Sequence, residues 1–358
     1  MSSAAASDAG AEIADLLGDQ LARLFIKKVT REALAAAEQG RFDIALWKEI
    51  TDIGAASALA SEAVGGAGLS WAQAGGLLQS LGAHAPPVPL GETMLASWML
   101  ALAGIEALGA PLTVAGGLLQ VDGEGRVSGE DALLSWAPHA AAIVAVAQGA
   151  GGRQLVLLAT ADAELTAQRT LDRLPAARVA MRGVQPLNIA PAPTVLGATG
   201  LLAPLAVLRA QQLAGGLAQV LALCVDYANT RSQFGKTIGK FQAIQHQLAE
   251  LAELTAAAQV AAGYAARQLD SGNADSAERG AAVAKIRAGL SATRGAAIAH
   301  QVFGAIGTTD EHILHYHTRR LWQWRDEAGS EAWWAEWLGH RLLAAGGAEL
   351  WSGIVSRD

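Results

Sequence analysis

Residues 226–251, DYANTRSQFGKTIGKFQAIQHQLAEL, set a charged, glycine-broken turn between two strongly periodic apolar runs. Beyond the turn, Phe241, Ile244, Leu248, Leu251 and Leu254 recur at three- and four-residue spacing, while Gln242, Gln245, Glu250 and Glu253 lie elsewhere around the same helix. That is the pattern of an amphipathic helix burying one stripe against a partner. Periodic segments occupy about 201–230, 241–269 and 277–303, joined by brief Gly- or Asp-containing turns, as in antiparallel bundle helices. Arg231, Gln233, Phe234 and Gly235 therefore stand together at a corner between two bundle helices.

Upstream, residues 11–103 also read as helical, with Leu16, Leu17, Leu21, Leu24 and Phe25 at helical spacing. EAVGGAGLS and HAPPVPLGE punctuate this region, because Gly runs and Pro-Pro cannot continue a helix. Between 112 and 192 the texture changes to short apolar runs, LTVAGGLLQV, AAIVAVA and RQLVLLAT, separated by the turn formers DGEGR and GAGGR. No helical stretches of 10–15 residues separate these strands, which argues against a doubly wound parallel sheet. The expected fold is mainly α with a small β domain: an N-terminal helical domain over 1–110, a middle β domain over 111–195 and a C-terminal helical bundle over 196–358.

Composition narrows the partners. Only 16% of the 358 residues are charged, 52% are hydrophobic and the net charge is −7, so no basic footprint for nucleic acid or a membrane surface is present. A small molecule or another protein is the expected partner. Cys224, the single cysteine, excludes an intrachain disulfide and a thiolate cluster. Its neighbours Leu221, Leu223 and Val225 suggest a buried thiol. No signal peptide is read at the N-terminus, and no segment reaches the roughly 20 apolar residues of a membrane span. A cytoplasmic location is expected.

The common phosphate and hydrolase signatures are missing: no G-x-G-x-x-G follows a strand, and neither a Walker motif nor a G-x-S-x-G elbow occurs. GGAG at 65–68 reads as a loop between helices. DEHILHYH gathers Asp310, Glu311, His312, His315 and His317, with His312 and His315 expected on one helix face. A carboxylate-bridged metal bundle needs a Glu-x-x-His on each of two helices, and only one imperfect candidate exists here, so no metal is expected. The 231–235 corner is richer. An Arg guanidinium matches phosphate oxygens, Gln offers amide donors, Phe a flat face for a ring, and Gly a close backbone approach. Two readings stand: a grip on a nucleotide diphosphate, or a solvated Arg beside a buried Phe.

YANTRSQFGKTIGKFQAIQHQLAEL resembles the R-x-Q/T-F-G…F-Q…LA-[DE] signature of acyl-CoA dehydrogenases through Tyr227, Arg231, Phe234, Gly235, Phe241, Gln242, Leu248 and Ala249. HQVFGAIGTTDEH resembles the family's Q-x-x-G-G-x-G segment through Gln301, Gly304 and Gly307, with Ala305 replacing the second of the paired glycines. LWKEITDIGAASALASEAVGGAGLS looks like part of the first helical domain. The resemblance implies three domains ending in a four-helix bundle, with FAD at a subunit interface. It implies α,β-desaturation of an acyl-CoA thioester, a Glu base, and an electron-transfer flavoprotein as reoxidant. In such enzymes the two motifs reach the neighbouring subunit's FAD, so Arg231, Gln233, Phe234, Gln301, Gly304 and Gly307 carry over as contacts made in trans.

Departures from the family pattern cluster. The loop that usually covers the flavin ring and substrate is replaced by GAPLTVAGGLLQVDGEG, and the W-[I/L]-[S/T]-N segment survives only as Ser135, with Leu133 where Trp would fall. In WRDEAGSEAWW, Glu327 is displaced by one position from the usual catalytic Glu, and the alternative location falls near Leu205, which cannot abstract a proton. What is degraded serves the flavin ring in the same subunit; what persists reaches a neighbour. The chain thus resembles a non-catalytic or FAD-sharing subunit of a heteromeric acyl-CoA dehydrogenase, paired with a catalytic subunit, like the heterotetramers of bacterial steroid and bile-acid side-chain degradation. The alternatives are a self-sufficient dehydrogenase with Glu327 as base and a purely structural assembly subunit. Trp334, Trp337 and Leu338 at helical spacing suit core or interface packing. Arg319, Arg320 and Arg325 are open between a phosphate-binding role and ion pairs with Asp326 and Glu327.

Overall fold

The computed structural model describes residues 3–346 and 351. Five helices come first: α1 (Ser3–Lys28), α2 (Arg31–Glu38), α3 (Ile44–Ile53), α4 (Gly75–His84) and α5 (Leu90–Leu102). Their starts and stops follow local chemistry. The Thr30 and Asp43 side chains accept backbone N–H bonds at the entries to α2 and α3, and Gly54 closes α3 in the left-handed conformation. α5 is buried almost all round, which suits its near-continuous run of apolar residues.

A seven-stranded sheet follows, built from β1 (Leu112–Val121), β2 (Val127–Ser135), β3 (Ala142–Gly149), β4 (Gly152–Ala159), β5 (Glu164–Gln168), β6 (Ala176–Val184) and β7 (Asn188–Pro191). Its order is β5-β6-β2-β1-β3-β4-β7, and β1–β3 is the parallel pair in an otherwise antiparallel arrangement. β3 is buried on both faces and divides them by its two-residue period. Ala142, Val144 and Val146 join the main core with the helices, while Ile143, Ala145 and Ala147 join a second core drawn almost wholly from strands. The sheet therefore curls to cover its own second face.

The remainder is helical: α6 (Leu202–Thr230), α7 (Gln242–Asp270), α8 (Ala274–Phe303), α9 (Leu314–Asp326) and α10 (Glu331–Ala345), with the two-residue strands β8 (Ser232–Gln233) and β9 (Lys236–Thr237) between α6 and α7. α6 packs against α4, α7, α8 and α9, so one core cluster runs from Leu21 in α1 through Leu208 in α6 to Trp334 in α10. Cys224 lies in that core, and burial pushes its thiol up to about 12. This makes it an inert apolar contact. Trp334 is fully buried and Trp337 and Leu338 pack beside it.

Glycine sets the distance between α4 and α6. A Cβ on Gly82 would lie 1.9 Å from the Gln212 carbonyl oxygen, and one on Gly215 would lie 1.8 Å from that of Gln79. Both obstacles are backbone, which cannot swing aside. Gly82→Ala and Gly215→Ala should each destabilise the fold by about 1–3 kcal/mol or more through overpacking, read as a lower denaturation midpoint. Gly18→Ala, whose new methyl meets nothing within 4 Å, should not lower it.

Candidate functional site

Two clefts collect the residues singled out by sequence. The first, of about 500 Å³, lies where β1 and β2 meet α6 and the connector between α9 and α10; Ser135, Leu205, Arg209, Glu327 and Trp333 are among its lining residues. Its inner end is ionic. The Arg209 Nη2 atom lies 2.6 Å from Glu92 Oε1 and 2.6 Å from Glu327 Oε2, and its Nη1 donates to Gln212 Oε1 at 2.6 Å. Arg209 is only 3% exposed and Glu92 5%. Burial opposes the guanidinium's charge, but Glu327 and Glu92 together outweigh it and hold the group above its ordinary range.

Glu327 receives two further donors on its other oxygen, Ser135 Oγ at 2.8 Å and Gln323 Nε2 at 2.7 Å. Gln323 in turn accepts from the Leu171 amide at 2.9 Å, tying the connector to the loop between β5 and β6. The connector is held just as firmly from beneath. Ala328 and Gly329 both have positive φ, +55° and +83°, and a non-glycine residue persists there only where its surroundings over-determine it. Lys285, fully buried on α8, donates to the Arg325 and Gly329 carbonyls at 2.5 and 2.7 Å, and Trp334 Nε1 donates to that of Ala328 at 2.8 Å.

The second cleft, of about 720 Å³, lies on the flank of the bundle between the α6–α7 corner and the end of α8. Arg231, Gln233, Phe234, Gln301 and Gly304 all line it, joined by Tyr227, Phe241 and Phe303. Gly307 does not: it is buried, its Cβ position hemmed in by Phe303 and Leu314, and it serves packing instead. Gly304 ends α8 at φ +64°, ψ −145° with open space where a Cβ would be, so its backbone conformation is what requires glycine. The corner is a two-residue hairpin pairing Ser232 with Thr237 and Gln233 with Lys236. Phe234 and Gly235 form its tip at φ +50° and +76°, the signs of a type I′ turn. Phe234 is 91% exposed. It is therefore not the buried Phe of the solvated-corner reading. Among the described residues, the side chains of Arg231, Gln233 and Gln301 make no hydrogen bond or ion pair. Tyr227 stacks on Phe303 with centroids 4.2 Å apart, giving the cleft a rigid aromatic floor.

Other sequence expectations are corrected. His312 lies before α9 rather than on a helix face with His315; its Nδ1 accepts the Leu314 amide at 3.1 Å. His317 is buried, and burial lowers it to about 4, leaving it neutral. Arg319 pairs with Glu38 at 2.5 Å, Arg320 lies 3.7 Å from the buried Asp172, and Arg325 pairs with Asp326 at 2.8 Å. These three cations are engaged within the chain, two of them with acids not foreseen from sequence. Glu92, Arg209, Lys285 and Gln323 were not anticipated at all. For the three charged ones the available signal was a charge set in an apolar helical run, as in LAPLAVLRAQQ, LGETMLASW and AAVAKIRAG, which predicts a buried partner; Gln323 carried no such signal.

Two family models match the chain, the acyl-CoA dehydrogenase N-terminal domain over residues 12–110 and the acyl-CoA dehydrogenase C-terminal domain over residues 197–332. The chain belongs to the acyl-CoA dehydrogenase family. It is 30% identical to acyl-CoA dehydrogenase IpdE2 of Mycobacterium tuberculosis over 313 residues, covering 85% of this chain and 89% of that protein. It is similar in structure to a variant of the Tcur3481-Tcur3483 steroid ACAD, with a TM-score of 0.82 and 28% identity over 94% of this chain and 99% of that one. The ChsE4-ChsE5 complex from M. tuberculosis shares the fold, with a TM-score of 0.84 and 24% identity over 93% and 97% of the two chains. This acyl-CoA dehydrogenase fold thus presents both clefts on a three-part frame of helices, sheet and bundle.

Lys285 gives the first cleft a measurable pH signature. Burial pushes its amine down to about 7 from 10.5, against the pull of Glu327 and Glu331. A neutral amine still has two N–H donors, matching the two carbonyls it serves. Between about 7 and 10.5 the unfolded chain binds the additional proton, so ν_U exceeds ν_N and stability rises with pH. The stability of the wild type relative to Lys285→Met should therefore increase across that window, as measured by denaturant unfolding. A flat difference would show that the buried amine does not titrate there.

Proposed function

We propose that this chain is the FAD-sharing, non-catalytic subunit of a heteromeric acyl-CoA dehydrogenase, completing the cofactor site of a catalytic partner. The observation that carries this reading is the unspent polar corner of the second cleft. Arg231, Gln233 and Gln301 face it without hydrogen-bond or ion-pair partners among the described residues, and a nearly fully exposed Phe234 is held in a left-handed turn at its mouth. A strained, exposed aromatic costs free energy in the isolated chain, and docking against a neighbour offsets that cost.

The donor set suits the ADP end of FAD. Arg231 would pair with pyrophosphate oxygens, Gln233 and Gln301 would supply amide hydrogen bonds, Phe234 would cover an apolar face, and the open backbone at Gly304 would permit close approach. When bound, FAD supplies the acceptor for the hydride leaving the substrate's β-carbon; the residues of this chain bind and orient it. The Glu base belongs to the partner in this reading. Similarity to the Tcur3481-Tcur3483 steroid ACAD supports a steroid-derived acyl-CoA as the substrate class, and the family chemistry supports an electron-transfer flavoprotein as reoxidant.

Arg231→Ala removes one charge-assisted interaction, contributing about 1.5–3 kcal/mol. The complex with the catalytic partner should then retain FAD roughly 10- to 150-fold more weakly, measured as flavin per complex on dilution, while its assembled mass stays constant. Undiminished flavin affinity would instead favour a purely structural subunit.

A further inference from the structure

We propose that Arg209 disarms Glu327, leaving the first cleft without a carboxylate able to take a proton from a bound thioester. The inference rests on the reading that this subunit lacks a working base, and it names the residue responsible.

Glu327 is the acid closest in sequence to the expected catalytic position, it lines a cleft of about 500 Å³, and its connector is pinned at three carbonyls. Position is therefore not what it lacks. Three of its four lone pairs are already engaged: Oε1 accepts from Ser135 and Gln323, and Oε2 is held by the Arg209 guanidinium. Protonating Glu327 would give up its ion pair with a guanidinium that has almost no access to water. Glu92 cannot substitute, being 5% exposed and bound to the same Nη2 atom. The remaining acids on the cleft wall are also engaged. Glu130 pairs with Arg178, Asp326 pairs with Arg325, and Asp131 accepts the Gly117 and Leu133 amides. Behind the cluster lie cavities of only about 10 and 20 Å³, room for about a water apiece, so an acyl chain entering the cleft ends at Arg209.

The step can be read without flavin by α-hydrogen exchange. In D2O, a competent carboxylate removes an α-proton from 4-nitrophenylacetyl-CoA, whose aryl group acidifies that position. The electron pair is held as the thioester enolate, and a deuteron returns from the exchanged carboxyl group to the same carbon. For the full wild-type chain, deuterium incorporation should not exceed that of Glu327→Gln. The double variant Glu92→Gln/Arg209→Leu removes the counter-ion without stranding a second carboxylate. Its incorporation should rise at least about tenfold, a change equivalent to 1.4 kcal/mol, and disappear when Glu327→Gln is added. Glu327-dependent exchange by the wild type, or none by a folded double variant, overturns the proposal. Should that double variant fail to fold, Glu92→Gln/Arg209→Met, which keeps an unbranched apolar side chain in place of the guanidinium, carries the same expectation and the same overturning result. Neither flavin nor partner enters this readout, so its failure is distinct from failure of the flavin-sharing reading.

Discussion

One guanidinium joins the three parts of the molecule around its ionic cleft. Arg209 projects from α6, Glu92 from α5 and Glu327 from the α9–α10 connector, and through Ser135 and Gln323 the same cluster reaches β2 and the loop before β6. Withdrawing such groups from water costs several kcal/mol per ion, and their attraction returns that only when geometry and hydrogen bonding are good. The cluster therefore adds little net stability over a well-packed apolar alternative. It fixes direction instead: a charge with 3% exposure has few positions in which it is satisfied, so helix, strand and connector are held in one mutual arrangement.

That constraint explains why the two clefts differ in chemical character. In the first, polar groups are consumed internally: each acid on the wall has a donor, and the guanidinium serves two carboxylates and a Gln. In the second, Arg231, Gln233 and Gln301 are left unspent at the surface. A buried polar group without a partner is costly, whereas an exposed one remains hydrated until a ligand arrives. The contrast leaves polar donors without partners, among the described residues, on the flank of the bundle. Phe234 reinforces this, because 91% exposure of a Phe in a left-handed turn combines an apolar cost with a backbone cost, and an edge contact with Phe241 leaves most of its surface in water.

Much of the architecture was legible because it is written in periodicity. The α7 stripe, the short runs of the sheet and the glycine-broken corner each announce a local structure, and the Arg231 corner carried a family motif. Less legible were features requiring two distant segments at once. Nothing near Arg209 reveals that its partners lie 117 and 118 residues away at Glu92 and Glu327. Gly307 sat in the right motif, yet the turn of chain after α8 directs it into packing, while Gly304 three residues earlier faces the cleft. His312 likewise failed to join His315 on a helix face because it precedes the helix that begins at Leu314, and its ring accepts the Leu314 amide from outside that helix.

The connector shows how tightly the ionic cleft is linked to the bundle. Lys285 on α8 holds both ends of the segment whose middle bears Glu327, and Trp334 on α10 holds the strained peptide between them. A loop secured at carbonyls 325, 328 and 329 fixes where the Glu327 side chain starts, and the donors of Ser135, Gln323 and Arg209 fix where its carboxylate ends. Substitution of Glu327 alone would leave the scaffold that presents it intact. Substitution of Arg209 alone would leave two buried carboxylates facing each other across the gap. The asymmetry identifies the guanidinium, and not the acid, as the element that determines what this cleft can do.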